Sequence, residues 1–232
     1  MFTGFPEETL RFFLDIRFHN QISYFEEHRQ DYIRDVQTPF YAFISVLAPR
    51  MQRIDPQMEI RPHKCLARIR RDTRFTKDKS PYRDHLWLLF RRAAEPREQS
   101  LNFWFELSPQ NMGWGMGFWG ENRVVMDRFR RELTARPQEF QQLLTRCDLP
   151  GHRLSLAGTA FKRLALPPSL PEELAPWYRA RELFVVREKI QFKWAYSPQL
   201  VEKVWKDYRA LAPLYKLFRG MVDEVSLEGN DL

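Results

Sequence analysis

Apolar side chains recur at helical spacing in the first fifth of the chain. The first set falls on one face of a helix predicted over about residues 6–18 and comprises Leu10, Phe13, Leu14 and Phe18. Ser23 and Glu26 have the spacing of a capping box, which predicts the start of a second helix. A third helix follows until Pro49 interrupts it. The pattern therefore predicts a helical part over residues 6–52.

From about residue 66 the apolar period shortens to two residues. Apolar and basic positions alternate in LARIRR, residues 66–71, which is typical of a strand. The alternation places Arg71 on the apolar side. Leaving a buried charge without its partner costs about 3–5 kcal/mol, so we expect Arg71 to pair with Asp72 or Asp78.

Three further strands are predicted at HLWLLFRR, LNFWFELS and MGWGMGFW, which completes a β-meander within residues 60–120. The last strand has glycine on one face, at Gly113, Gly115 and Gly117. Either a helix or aromatic ring packs closely there, or the glycines form a flat ligand floor. A dinucleotide fingerprint is rejected, because its glycines lie within the alternation of the strand itself.

Helices and at least one further strand are predicted over residues 121–220. The final helix is expected to kink or end at Pro213, and residues 221–232 are polar enough to form a frayed tail. The whole pattern predicts an α+β fold in a single domain over residues 1–232. Its antiparallel or mixed β-sheet would pack against the amino- and carboxy-terminal helices.

Charge is concentrated in one stretch of the chain. Residues 61–84 contain nine Lys or Arg and three Asp, so they carry +6 of the formal net charge of +7. Such a concentration favours a local anion site over a generally cationic surface. The start of the chain lacks the pattern of a secretory signal, and no apolar run reaches the roughly 18 residues of a membrane-spanning helix. Cys65 and Cys147 are too few for a disulfide framework, so we expect a cytoplasmic protein without a membrane partner.

The basic stretch carries a specific motif, Arg68-Ile-Arg-Arg71-Asp72-Thr-Arg74-Phe75-Thr-Lys-Asp78-Lys79-Ser-Pro81-Tyr82. It resembles the signature of the DUF2461 family, bacterial proteins of unknown function. Four upstream residues also resemble that family's amino-terminal pattern, namely Asn20, Phe25, Tyr32 and Pro39, and Lys162 and Arg163 resemble a basic pair farther along. The resemblance covers the whole chain and implies a location of interest. It implies no activity, and no catalytic residue is carried over from it.

The motif supports a hypothesis of anion binding. Arginine, lysine and tyrosine side chains can donate several hydrogen bonds to a phosphate or carboxylate, and the candidates are Arg68, Arg71, Arg74, Lys79 and Tyr82. Asp72 and Asp78 would orient these cations. The same groups can instead form a purely structural polar network that pins the loop to the sheet.

Other functions remain open. Asp72, Asp78, Lys79, Tyr82 and His85 lie close enough in sequence to serve as acid or base in an unidentified hydrolase or phosphoryl-transfer enzyme. The mixture of basic and aromatic residues is compatible with nucleic-acid binding, although most aromatics are needed in the core. A protein-interaction domain is a further alternative, with an unknown partner. No spacing of histidine or cysteine indicates a metal site, and we expect no cofactor.

Overall fold

The computed structural model describes residues 1–74, 76–96 and 100–230. Phe75, part of the predicted motif, lies outside this description. The described chain forms two compact units: the first contains Met1–Phe90, Trp104–Trp114 and Ile190–Trp205, and the second contains Arg91–Phe103, Gly115–Lys189 and Lys206–Leu232. The single domain stays a prediction.

The amino-terminal part is helical, as predicted, but the predicted apolar face of the first helix is wrong. Phe12, Phe13 and Ile16 are buried, whereas Leu14 and Phe18 are exposed. Helix α1 spans Glu7–Phe18, α2 spans Ile22–Glu27 and α3 spans Arg29–Asp31. A π-helical segment follows at Tyr32–Gln37. The capping-box prediction is wrong, because α2 begins after Gln21 and no side chain caps it.

Helix α4 spans Thr38–Ile54 and contains Pro49. The prediction that Pro49 interrupts this helix is therefore wrong. Proline removes one backbone hydrogen bond, but the residues beyond it, Met51 and Ile54, are buried. Burial of the apolar face past Pro49 offsets the lost bond and keeps the segment helical. A short helix, α5, follows at Pro62–Cys65.

Five strands form one sheet in the part of the chain that the structure describes, in the order β1-β2-β3-β5-β4. Their bounds are Leu86–Phe90, Leu101–Leu107, Met112–Phe118, Leu154–Leu156 and Phe184–Arg187 for β1 to β5. The sheet is antiparallel, with Met116 opposite Val185 and Leu156 also opposite Val185. The α+β prediction and the three strands of the meander are confirmed, whereas β4 was not predicted.

The strand predicted at residues 66–71 does not form. Only isolated bridges occur there, joining Leu66 to Leu88 and Arg70 to Tyr82. Ala67 and Ile69 are buried and Arg68 and Arg70 are exposed, so the alternation of burial is present although the predicted strand is not. The segment lacks continuous pairing with a neighbouring strand, and pairing defines a strand.

The glycine face of β3 is closely packed. A Cβ on Gly113 would approach the Trp104 ring to 3.1 Å, and one on Gly117 would lie 2.2 Å from the carbonyl oxygen of Leu183. Close packing of an aromatic ring therefore holds at Gly113. At Gly117 the space is occupied by the backbone next to the paired strand β5, which is neither a helix nor an aromatic ring.

The remaining helices are α6 at Arg123–Ala135, α7 at Pro137–Cys147, α8 at Ala175–Arg179 and α9 at Gln199–Asn230. Helix α9 contains Pro213 and continues beyond it, so this proline does not end the helix. The predicted frayed tail is helical as far as Asn230. No helix in the described residues is both long and apolar enough to cross a membrane.

Each unit has an aromatic core. In the first unit Phe43 of α4 packs against Phe105 of β2, with ring centroids 4.8 Å apart. In the second unit Phe103 of β2 packs against Tyr208 and Tyr215 of α9, at 5.0 and 5.1 Å. Helices from both ends of the chain thus bury apolar faces of the sheet.

Candidate functional site

A pocket of about 340 Å³ opens in the first unit, beside the extended segment 66–70. Four aromatic residues line it, Phe25, Tyr32, Tyr41 and Tyr82, and the polar residues around it are Glu26, Arg29, Gln37, His63, Arg68 and Arg70. We call this the motif pocket. The π-helical segment contributes Tyr32 and Gln37 to its wall, and π-helical turns are frequent at functional sites.

The aromatic wall of the motif pocket is closely packed. The rings of Phe25 and Tyr82 stack with centroids 4.2 Å apart and an angle of 16° between their planes. Tyr32 packs against Phe25 at 5.4 Å, and all three residues are buried. Burial raises the pKa of the Tyr32 hydroxyl, so it stays protonated at neutral pH.

Two arginines at the pocket have no carboxylate partner within the part of the chain that the structure describes. Arg68 and Arg70 are exposed, and among the described residues neither guanidinium forms an ion pair. Arg29 differs, because its guanidinium donates to both carboxylate oxygens of Glu26 at 2.5–2.9 Å. This hydrogen bonding raises the pKa of Arg29. The available positive charge of the pocket therefore comes from Arg68 and Arg70.

Arg83 fixes the backbone that carries those two arginines. Its Nη1 donates to the carbonyl oxygen of Arg68 at 2.8 Å and to that of Arg70 at 2.7 Å. The Arg83 guanidinium also lies 4.9 Å from the ring centroid of Trp87, a cation–π distance. The hydrogen bonds from Arg83 thus hold the backbone of Arg68 and Arg70 at a fixed spacing without any ligand.

Asn20 fixes the Tyr82 side of the pocket. Its amide nitrogen donates to the Tyr82 carbonyl oxygen, and its amide oxygen accepts from the Tyr82 N–H, both at 2.9 Å. Asn20, 62 positions before Tyr82 in the chain, thus satisfies both the backbone N–H and the backbone carbonyl of Tyr82. Tyr82 is therefore held against Phe25 by stacking and by two hydrogen bonds.

The remaining motif residues form a polar network in the loop between Arg71 and Pro81. Arg71 pairs with Asp78, Arg74 pairs with Asp72 at 2.7 Å, and the Lys79 ammonium donates to the Thr73 carbonyl oxygen at 2.8 Å. The base of the loop is closed by the Arg71 N–H, which donates to the Pro81 carbonyl oxygen at 2.8 Å. We call residues 71–81 the motif loop.

Both aspartates of the motif loop are ionised at neutral pH. Hydrogen bonds from Arg74 lower the pKa of Asp72 to about 2. Hydrogen bonds from Ser80, followed by the ion pair with Arg71, lower the pKa of Asp78 to about 2. Carboxylates that are ionised at neutral pH accept hydrogen bonds but carry no proton to donate as a general acid.

The structure thus divides the predicted site residues into two groups. It places Arg68 and Tyr82 at the motif pocket and places Arg71, Asp72, Arg74, Asp78 and Lys79 in the motif loop. Arg71 pairs with Asp78, one of its two predicted partners, although its side chain is 29% exposed and not buried. Tyr82 was predicted as a hydroxyl donor, and its stacked ring forms part of the pocket wall.

No group of three metal-ligating side chains occurs among the described residues. His85, considered as an acid or base, contacts Asp84 through Nδ1 at 2.9 Å. Burial tends to raise the pKa of Asp84, but hydrogen bonds from His85 and Arg17 outweigh it and lower the pKa. His85 is thereby held by a carboxylate outside the predicted set of site residues.

Comparison with known proteins identifies a family. A family model described as a conserved hypothetical protein (DUF2461) matches residues 8–217. The chain belongs to the DUF2461 family. The match includes the whole motif pocket and the whole motif loop of this DUF2461 protein. The chain matches no curated protein and no solved structure.

Sequence reasoning missed one residue that lines the motif pocket of this DUF2461 protein, Arg70, and two residues that support it, Arg83 and Asn20. Arg83 was considered only as one of the positive charges of the basic stretch. Its role is to bind the backbone carbonyls of Arg68 and Arg70, and a sequence pattern does not show such a contact. Arg70 was placed beside Arg68 by the alternation, which was the one usable signal for it. Asn20 was noted only through the family resemblance, because no local pattern connects it with Tyr82.

Proposed function

We propose that this DUF2461 protein binds a small anionic ligand in the motif pocket, through a phosphate or carboxylate group held by Arg68 and Arg70. One observation carries the proposal. Both arginines lie at a pocket, their backbone is fixed, and neither has a carboxylate partner among the described residues.

The physical argument concerns the electrostatics of the pocket. Guanidinium groups donate planar sets of hydrogen bonds that match phosphate and carboxylate oxygens. Arg29, already paired with Glu26, adds less net charge. A pocket of about 340 Å³ suits a small molecule, since ligand sites span roughly 300–1,000 Å³. The aromatic wall offers an apolar contact for the remainder of that molecule.

The motif loop supports binding in preference to acid–base catalysis. Asp72 and Asp78 are ionised and already accept hydrogen bonds from groups of the loop. Their role in the proposal is to stabilise the loop that adjoins the pocket. The predicted anion donors Arg71, Arg74 and Lys79 are engaged within this loop.

Thermal unfolding of the purified protein with inorganic phosphate, pyrophosphate and citrate tests the proposal. A ligand that binds only the folded state stabilises it, by about 2.7 kcal/mol when its concentration is 100 times Kd. We expect at least one of these anions to raise the melting temperature. Arg68→Ala and Arg70→Ala should each weaken its binding by about 10- to 100-fold, the loss expected for a hydrogen bond to a charged group.

Two control variants make the result specific. Arg11→Ala removes an exposed arginine of α1 outside the pocket, and Arg74→Ala removes one of the motif loop. Both should keep the anion effect of the wild type. The proposal fails if none of the three anions protects the wild type, or if the Arg68→Ala/Arg70→Ala variant is protected as strongly as the wild type.

A further inference from the structure

A second charged surface lies in the second unit, separate in sequence from the motif. It combines two exposed aromatic side chains with basic ones and comprises Trp119, Phe161, Lys162, Arg163 and Arg181. We call this set the aromatic-basic face. Neither the family match nor the proposed anion pocket assigns a role to it.

Phe161 is the best-defined member of the face. Its ring is 40% exposed, although the backbone that carries it is fixed. The Phe161 N–H donates to the Arg179 carbonyl oxygen at 2.8 Å, and the neighbouring Ala160 forms a bridge with Ala180. Phe161 is therefore a partly exposed aromatic side chain on an ordered backbone, and the part of its ring that the neighbouring side chains leave uncovered is accessible for stacking.

Two guanidinium groups flank this ring. Those of Arg130 and Arg181 lie 5.1 and 5.3 Å from the Phe161 ring centroid. Arg130 is anchored, since it donates to the carbonyl oxygens of Tyr178 and Ala180 at 2.9 and 2.5 Å. Cations over the ring hold Phe161 in place and put positive charge beside an exposed aromatic surface.

Trp119 is close in sequence to a residue that binds Arg181. The Arg181 guanidinium that lies beside Phe161 also pairs with Glu121 at 2.7 Å, two residues after Trp119. The Trp119 side chain is 49% exposed. Trp119 and Phe161 are therefore both exposed, and Arg181 contacts the segments that carry them.

The charge of the face is positive after its internal pairs are considered. Glu121 pairs with Arg181, and Asp127 pairs with Arg130 at 2.6 Å. Glu182 accepts from the neutral Thr159 N–H at 2.9 Å, so its single negative charge remains and offsets one of the two positive charges named next. Lys162 and Arg163 are exposed, and no carboxylate in the described part of the chain pairs with them. Both charges are available to an anionic partner.

We propose that the aromatic-basic face binds single-stranded nucleic acid. Bases stack on exposed aromatic side chains whatever their sequence, while nearby Lys and Arg contact the phosphates. Duplex DNA keeps its bases stacked inside and offers only the phosphates to such a face. The aromatic component therefore favours a single strand over a duplex.

Fluorescence anisotropy with a labelled oligothymidylate of about 15 nucleotides, within the range of single-strand site sizes, tests this inference. We expect binding that weakens with salt. Phe161→Ala should weaken it by about ten-fold, which corresponds to the loss of one stacked base. Lys162→Ala/Arg163→Ala should lower the slope of log K against log salt by about 1.4, because each single-strand phosphate contact contributes about 0.7.

Control variants test whether binding depends on the aromatic-basic face itself and not simply on any exposed ring or any exposed positive charge. Phe18→Ala removes a ring that is 76% exposed in the first unit. Lys206→Ala/Arg209→Ala removes two exposed charges of α9. Both should bind as the wild type does, and each variant is first checked by its unfolding curve. The inference is overturned if the oligonucleotide does not bind, if Phe161→Ala binds as the wild type does, or if binding depends instead on Arg68 and Arg70.

Discussion

Asn20 and Arg83 shape the motif pocket by binding backbone groups of other residues. Each side chain makes two hydrogen bonds, Asn20 to Tyr82 and Arg83 to the carbonyls of Arg68 and Arg70. Such residues do not touch a ligand in our proposal. They determine where the residues that would touch it are placed.

Replacing Asn20 tests this role at the level of stability. Asn20→Ala leaves the partly buried N–H and carbonyl of Tyr82 without their partners, and each such group costs about 1–3 kcal/mol. We expect urea unfolding to show a loss of roughly 2 kcal/mol or more. The neighbouring variant Gln21→Ala, at an exposed residue whose side chain does not cap α2, should stay within about 0.5 kcal/mol of the wild type. Equal stabilities for the two variants would contradict the role of Asn20.

The motif loop is an element stabilised mainly by its own charges. Arg71 and Asp78 pair across it, Arg74 and Asp72 pair within it, and Lys79 binds a loop carbonyl. The side chains of Asp72 and Asp78 are more than half exposed. Exposed pairs contribute little individually and are weakened by salt, so the loop depends on several weak interactions acting together.

The loop predicts a dependence of stability on pH. Asp72 and Asp78 have a pKa of about 2 in the folded chain, whereas an unperturbed Asp titrates near 3.9, roughly the unfolded value. The folded values are lowered, so the contribution to stability is complete above about pH 4 and is lost as pH falls toward 2. Asp72→Asn/Asp78→Asn should therefore be less stable than the wild type at pH 6, and the difference should shrink as pH falls below 4.

Urea unfolding of both proteins from pH 6 to pH 3 measures this difference. Glu27→Gln is the control, because Glu27 is exposed and has no ion-pair partner among the described residues. A gap between wild type and the double variant that stays constant over this range would rule out the titration of these two aspartates as its cause.

At the scale of the whole molecule, the charge concentrated in residues 61–84 is largely engaged. Arg61 pairs with Glu59, two arginines pair within the motif loop, Lys79 binds a carbonyl, and Arg83 binds two carbonyls. Among the described residues, the basic side chains of this stretch without a recorded carboxylate or carbonyl partner are Lys64, Arg68, Arg70 and Lys77. Arg68 and Arg70 are the pair at the pocket. The net charge of residues 61–84 thus indicated where an anion site would lie. The ion pairs and hydrogen bonds within this stretch then indicated that Arg68 and Arg70 are the residues available to bind an anion.

Sequence patterns predicted the parts of the fold that depend on local order. The three meander strands were predicted because their periodicity reports directly on burial. The first helix was predicted from its helical spacing, but the predicted face was wrong, since Leu14 and Phe18 are exposed. Pro49 was misjudged, since burial of the apolar residues beyond it outweighs its local effect. Pro213 does not end its helix, which was one of the two outcomes predicted for it. For the site, the motif indicated Arg68, whereas Arg70 was not among the predicted site residues. The contacts of Asn20 and Arg83 join distant segments, and no local pattern encodes them.

The hold of Arg83 on two carbonyl groups has a consequence for the kinetics of binding. The segment that carries Arg68 and Arg70 is fixed before a ligand arrives, so association needs no preceding conformational step. In stopped-flow mixing with pyrophosphate, we expect the observed rate to rise linearly with anion concentration. With Arg83→Ala the rate should reach a plateau, because ordering of the segment would then limit it. A plateau in the wild type would mean that the pocket itself changes conformation, and that this change limits the rate of anion binding.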